Sequence, residues 1–240
     1  MEKKKNLFYV KGEPFIALAG EAHNSSSSTA YFMESVWEKA QEQGMNTLLL
    51  PVTWELVEPV EGTFDFATQD AIIAQARERG MHIIFLWFGS WKNAQCMYAP
   101  NWVKTDLERF PRAQVEKGQN KCQLKDFYGM PYTTLSYLGE ETNKADARAF
   151  AEFMKHLKEI DEAEQTVIAV QVENETGMQG AGGEHSDLAD ELFAGEVPAD
   201  FAAYMRSHTD EMAEDVKAAV EQGRDGKTWE EVFGDVAEEI

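Results

Sequence analysis

Three apolar runs constrain this chain more than any other feature: NTLLLPV (Asn46–Val52), HIIFLWF (His82–Phe88) and VIAVQV (Val167–Val172). Each is too short for a buried helix, and none shows the polar alternation of a strand with one wet face. They suit strands covered on both sides, as in a parallel sheet beneath helices. Two shorter strands are expected before them, Leu7–Val10 and Phe15–Ala19, joined by a KGEP turn.

The segments between the runs have helical spacing. A first helix is expected from about Thr29, capped by Ser28 or Thr29, with Phe32, Val36 and Ala40 on its inner face and Gly44 as its stop. A second runs from Phe66 to Arg79 with Ile72, Ile73 and Ala76 inward, and Gly80 ends it. After a long loop from Gly89 to about Thr142, Lys144–Ile160 forms a third. Strand and helix alternating in this way, with right-handed crossovers, predict an α/β fold. The expectation is a partial (β/α)8 barrel, its first four βα units. A whole barrel takes about 250 residues, so residues 1–180 read as the N-terminal half of a barrel in a chain that stops before the remaining strands. In residues 181–240 seventeen acidic residues stand against four basic ones, with no further β-branched run. That segment reads as a solvated acidic helical insertion or extension.

The formal charge of −21 argues against nucleic acid or an anionic membrane as partner, because phosphate binding needs a basic surface. Self-association stays open. Cys96 and Cys122 form no disulfide framework and no zinc-ligand pattern, and the five histidines lie in no HExxH arrangement. No metal and no cofactor is expected. The N-terminal lysines resemble the start of a leader, but Lys11–Pro14 interrupts the apolar run that should follow, so the expected compartment is the cytoplasm.

What points to chemistry is where the polar residues fall. GEAHNSSSS, TWELVEP, FGSWKNAQ and ENETG each follow a buried strand, and in parallel α/β folds the C-terminal strand ends meet on one rim. Carboxylates, amides and Trp54, Trp87 and Trp91 on one rim suit a sugar, whose CH faces stack on rings while its hydroxyls take hydrogen bonds. Glycoside hydrolysis needs two carboxyl groups, one holding a proton for the leaving oxygen. Glu175 is placed for that role, and Asn174 beside it can bind a hydroxyl next to the reacting carbon. Glu21 and His23 from the first strand end, Trp54 from the second and Trp91 from the third are read as further substrate contacts. Glu173 should point away from the side of the strand that Glu175 occupies.

Four motifs carry a resemblance to a known family: AGEAHNS (Ala19–Ser25), WELVEPVEGTFDF (Trp54–Phe66), WFGSWKNAQ (Trp87–Gln95) and QVENETG (Gln171–Gly177). Together they resemble the β-galactosidase-like enzymes of glycoside hydrolase family 35, with looser similarity to family 42, both in the clan of retaining (β/α)8-barrel glycosidases. The resemblance implies a terminal β-glycoside or oligosaccharide as substrate, Glu175 as general acid/base, Asn174 as its hydroxyl-binding neighbour, and Asn93, Ala94 and Gln95 at the innermost sugar subsite. Gln95 stands where those galactosidases usually carry glutamate, and Pro51 where a tyrosine is expected, which leaves an arabinoside or xyloside as alternative substrate. The resemblance also implies a nucleophile at the end of a seventh strand, outside this chain. The chain alone is then expected to be inactive, and a non-catalytic carbohydrate-binding protein or decayed glycosidase is the rival reading.

Overall fold

The computed structural model describes residues 7–92, 97–114, 124–125, 131–132, 134–176, 184–223, 225–234 and 237. In chain order the strands are β1 (Tyr9–Val10), β2 (Glu13–Pro14), β3 (Ala19–Glu21), β4 (Thr47–Thr53), β5 (His82–Lys92), β6 (Leu124–Lys125), β7 (Pro131–Tyr132) and β8 (Val167–Asn174). The helices are α1 (Ala30–Glu42), α2 (Trp54–Val57), α3 (Ala67–Glu78), α4 (Asn101–Thr105), α5 (Glu140–Asp161), α6 (Asp187–Phe193), α7 (Ala199–Ser207), α8 (Glu214–Gln222) and α9 (Trp229–Phe233). They divide into two units, Met1–Pro111 with Gly139–Thr176, and Arg112–Leu138 with Gly177–Ile240.

The first unit is built on a four-stranded parallel sheet in the order β3-β4-β5-β8. Strand follows strand in space as in sequence, the pattern expected when each βα unit adds beside the last. The short β1–β2 hairpin precedes it, turning through Lys11 and Gly12, both at positive φ, 49° and 79°. Two consecutive left-handed residues give the tight turn that a two-residue hairpin loop needs.

Helix α1 starts at Thr29, whose side chain accepts the Phe32 N–H at 3.2 Å. Its buried face is Met33, Trp37 and Ala40, one residue round from the stripe expected at Phe32, Val36 and Ala40, and Phe32 is 53% exposed. Trp37 decides the rotation. Its ring is fully buried while its Nε1–H donates to Gln75 Oε1 on α3 at 3.1 Å. On α3, Ile72, Ile73 and Ala76 are buried, as the spacing predicts. Arg77 then ties α3 to α5, donating to Asp161 Oδ1 at 2.6 Å, while Asp161 Oδ2 accepts the Val167 N–H at 2.6 Å. This joint fixes where β8 begins.

The central strands β4 and β5 are buried on both faces, and Phe85 and Trp87 pack on Phe153 of α5 with ring centroids 5.6 and 5.7 Å apart. Pro51 sits within β4, where its carbonyl accepts the Ser27 hydroxyl at 2.5 Å. β8 departs from the expectation of a strand covered on both sides. It forms the sheet's edge, pairing only with β5 among the described residues, and Val172 is 61% exposed. An edge strand has one neighbour, so half of what would cover it is missing.

The second unit contains the β6–β7 hairpin and helices α6 to α9. It has its own core of Val197, Ala202, Val220, Val232 and Phe233, with Phe193, Phe201 and Trp229 packed against it. α9 opens with a reciprocal capping box between Thr228 and Glu231. The described part of the acidic segment forms helices organised around apolar side chains rather than merely solvated. The unit also takes in residues 112–138, where the sequence reading draws a boundary near residue 180: the His185 N–H to Gln114 carbonyl bond at 2.6 Å and the Ser136 hydroxyl to Glu184 Oε2 bond at 2.9 Å join the two stretches. No described helix is long and apolar enough to cross a membrane.

Candidate active site

All four sheet strands are parallel, so their C-terminal ends lie on one side of the first unit. The end of β8 has the most unusual backbone. Glu173 and Glu175 both adopt positive φ, 61° and 51°, which non-glycine residues rarely do. Two such residues flanking Asn174 break the alternation of a strand and send the two glutamates into different surroundings.

Glu173 turns in against β5. Its Oε1 accepts the Ser90 N–H at 3.2 Å and its Oε2 accepts the Trp91 N–H at 3.0 Å. The carboxyl occupies the gap where the ladder slips, between the Trp87–Val172 and Lys92–Asn174 pairs. Asp146 of α5 reaches the same spot, with Oδ1 accepting the Trp87 indole N–H at 2.8 Å and Oδ2 accepting the Ser90 N–H at 2.6 Å and its hydroxyl at 2.5 Å. Burial and the adjoining Asp146 carboxyl push the Glu173 carboxyl up to about 10, far above the ordinary carboxylate range.

Glu175 faces outward, its side chain 51% exposed. The Asn174 amide donates to Glu175 Oε2 at 3.1 Å, and Gln171 donates to Asn174 Oδ1 at 3.1 Å. Lys92 Nζ lies 3.8 Å from Glu175 Oε2 and 4.9 Å from the centre of the Phe88 ring, although Lys92 as a whole is buried. Glu173 and Glu175 do point apart, but not by strand alternation, which would put residues two apart on one face; the left-handed backbone at both positions separates them.

The other candidate residues fall in several places. Glu21 and His23 are exposed at the end of β3. Trp91 is 7% exposed, with its backbone N–H committed to Glu173. Trp54 does not present the open sugar-stacking face expected of it: it is fully buried, its indole N–H donating to Glu58 Oε2 at 2.8 Å. Glu58, also fully buried, further accepts the Gly62 N–H at 2.7 Å and Arg148 Nη2 at 2.6 Å. Glu61 beside it is held in a two-point pair with Arg109, at 2.9 and 2.8 Å, and this hydrogen bonding lowers its carboxyl from the usual range. The Trp54–Phe66 motif thus builds a locked corner. Asn93, Ala94 and Gln95 lie outside the described residues.

Sequence reasoning missed Asp146, Lys92 and Arg148. Asp146 had a signal: it falls in the buried stripe of α5 with Thr142, Ala149 and Phe153, and an acid within an apolar stripe needs partners. Lys92 sits in a quoted motif, but nothing in sequence tells that β5 runs four residues past Phe88. Among the described residues no three His, Cys, Asp or Glu side chains converge as metal ligands.

With this geometry in view, comparison with known proteins adds the relatives. Residues 7–106 match the family model described as glycosyl hydrolases family 35. Over these residues the sequence is similar to family 35. A β-galactosidase of Xanthomonas manihotis is 34% identical over 80 residues, which cover 32% of this chain and 13% of that protein. The crystal structure of a β-galactosidase from Bacillus circulans sp. alkalophilus superposes with a TM-score of 0.52 over 93% of this chain at 14% identity, a likeness of fold. This family 35-like chain spans 28% of that enzyme's length.

Proposed function

We propose that this chain belongs to a retaining exo-β-glycosidase acting on terminal β-galactosides, in which its four parallel strands are the first four units of a (β/α)8 barrel. The observation that carries the proposal is Glu175, half-exposed on the C-terminal rim with the Asn174 amide at 3.1 Å, in a chain whose residues 7–106 match family 35. Glu175 is the proposed general acid/base. Asn174 orients it and offers a hydrogen bond to the neighbouring sugar hydroxyl, an interaction that strengthens in the transition state. Glu21 and His23 border the same rim as substrate contacts, and Asn93, Ala94 and Gln95 complete the innermost subsite.

A retaining mechanism sets its two carboxyl groups about 5 Å apart. Glu58 and Glu173 are committed to buried partners, and Glu55 is paired with Lys104 at 3.2 Å. Glu21 lies three strands from Glu175 in the sheet order, roughly 14 Å at about 4.8 Å per strand. The nucleophile is therefore proposed to come from outside the chain.

The test is a pair of measurements on the chain as it stands. Galactoside binding, followed by ligand-observed NMR, is expected in the wild type and lost in Asn174→Ala. Phenol release from aryl β-galactosides is expected not to exceed that of Glu175→Gln. A wild-type chain that binds no β-glycoside overturns the reading. Turnover that depends on Glu175 overturns the external nucleophile while upholding the glycosidase.

A further inference from the structure

The proposed reaction has no use for Glu173 or Asp146, yet Asp146 is buried, Glu173 is part-buried, and their carboxyl groups meet. The Ser90 N–H is shared between them, at 2.6 Å from Asp146 Oδ2 and 3.2 Å from Glu173 Oε1. Gly89 shows how tightly the oxygens converge. A Cβ added there would lie within about 2.5 Å of Asp146 Oδ2 and of Glu173 Oε1, so only glycine leaves them room.

Two carboxylates this close cannot both stay ionised away from water unless a cation lies between them. A metal ion does not suit the spot, because every polar group aimed at it is a donor: the Trp87 indole N–H, the Ser90 N–H and hydroxyl, and the Trp91 N–H. A proton does suit it. The charged groups that the packed elements carry nearby are Lys92 on β5 and Glu175 on β8, which face each other at 3.8 Å. On α5, Arg148 is turned to Glu58 at 2.6 Å.

We propose that Asp146 and Glu173 share one proton, and that this hydrogen-bonded pair is the positioning device for Glu175. It holds the left-handed turn at Glu173–Glu175 against the end of β5. The shared proton ties α5 to β8, the two backbone N–H bonds tie β8 to β5, and together they fix the direction in which Glu175 leaves the strand. Only the naming of Glu175 as acid/base rests on the function proposed above; the pair itself stands on its own geometry.

The experiment is an NMR titration of the full chain, with carboxyl carbons labelled in Asp and Glu and nitrogen labelled throughout, and no sugar present. The Glu173 carboxyl should remain protonated through neutral pH. One alkaline step should then move its signal together with the Ser90 and Trp91 amides, the Trp87 indole and the Glu175 carboxyl. In Asp146→Asn, which retains an acceptor for Trp87 but not the second charge, the Glu173 step should move to lower pH. In Glu173→Gln the alkaline step should vanish from the Glu175 signal. A wild-type Glu173 that titrates in the ordinary carboxylate range overturns the shared proton, even if neither variant folds. An alkaline step at Glu175 that persists in Glu173→Gln overturns the positioning role. Absence of galactoside binding would count against the proposed function and leave this test intact.

Discussion

The corner after β4 and the end of β8 begin alike, each a buried strand running into glutamates, and they resolve their charge in opposite ways. At the corner, Glu58 is sealed from solvent and neutralised by Arg148, with Trp54 and Gly62 as further donors. At the end of β8, Glu173 faces a second acid and keeps a proton, while Glu175 remains 51% exposed. A carboxylate with a complete set of partners is scaffold. One left facing solvent on a rim, beside a hydrogen-bonded amide, is available for chemistry.

The largest expected effect lies in the corner. Glu58→Ala leaves the Trp54 indole, the Gly62 N–H and Arg148 without their shared acceptor, which should cost about 3–5 kcal/mol in chemical denaturation. A loss below about 1 kcal/mol would mean that the corner relaxes and is no scaffold. Arg148→Met removes the cation but keeps the neutral donors, and its guanidinium is 42% exposed, so a smaller loss of about 2 kcal/mol is expected.

The pH dependence of stability sharpens the other side. Glu173 binds its proton more tightly folded than unfolded, so its contribution is fully present below the unfolded value near 4.5 and is lost as pH rises toward about 10. Denaturant titrations at several pH values should show Glu173→Gln with a shallower fall than wild type, and equal slopes would show that the proton is not held there. The smallest effect is expected at Glu175→Gln, below about 0.5 kcal/mol, because the side chain is half in water.

Much of this was legible in the sequence. Apolar runs without polar alternation gave the parallel sheet, and Gly44 and Gly80, at φ 71° and 63°, marked helix ends. The four polar strand ends were found because they follow those runs directly. Partnering was less legible. Trp54 reads as a sugar platform until Glu58 is seen to hold its indole, and Asp146 lies 27 residues before Glu173, so no local pattern joins them. The same holds for the second unit, where a run of acidic residues masks a core assembled from Val197, Ala202, Val220, Val232 and Phe233. Edge position was hidden as well, since VIAVQV has the composition of a central strand and the number of its neighbours is a property of the sheet.

Selective amidation separates the roles of Glu173 and Glu175. The folded chain is treated at neutral pH with a carbodiimide and a small amine, and modification at each glutamate is followed by fragmentation mass spectrometry. Glu175 should be labelled rapidly, and more slowly when a β-galactoside is added, with Glu173 and Glu58 protected throughout. Labelling of Glu173 as fast as Glu175, or a galactoside that shields neither, would contradict that separation of roles.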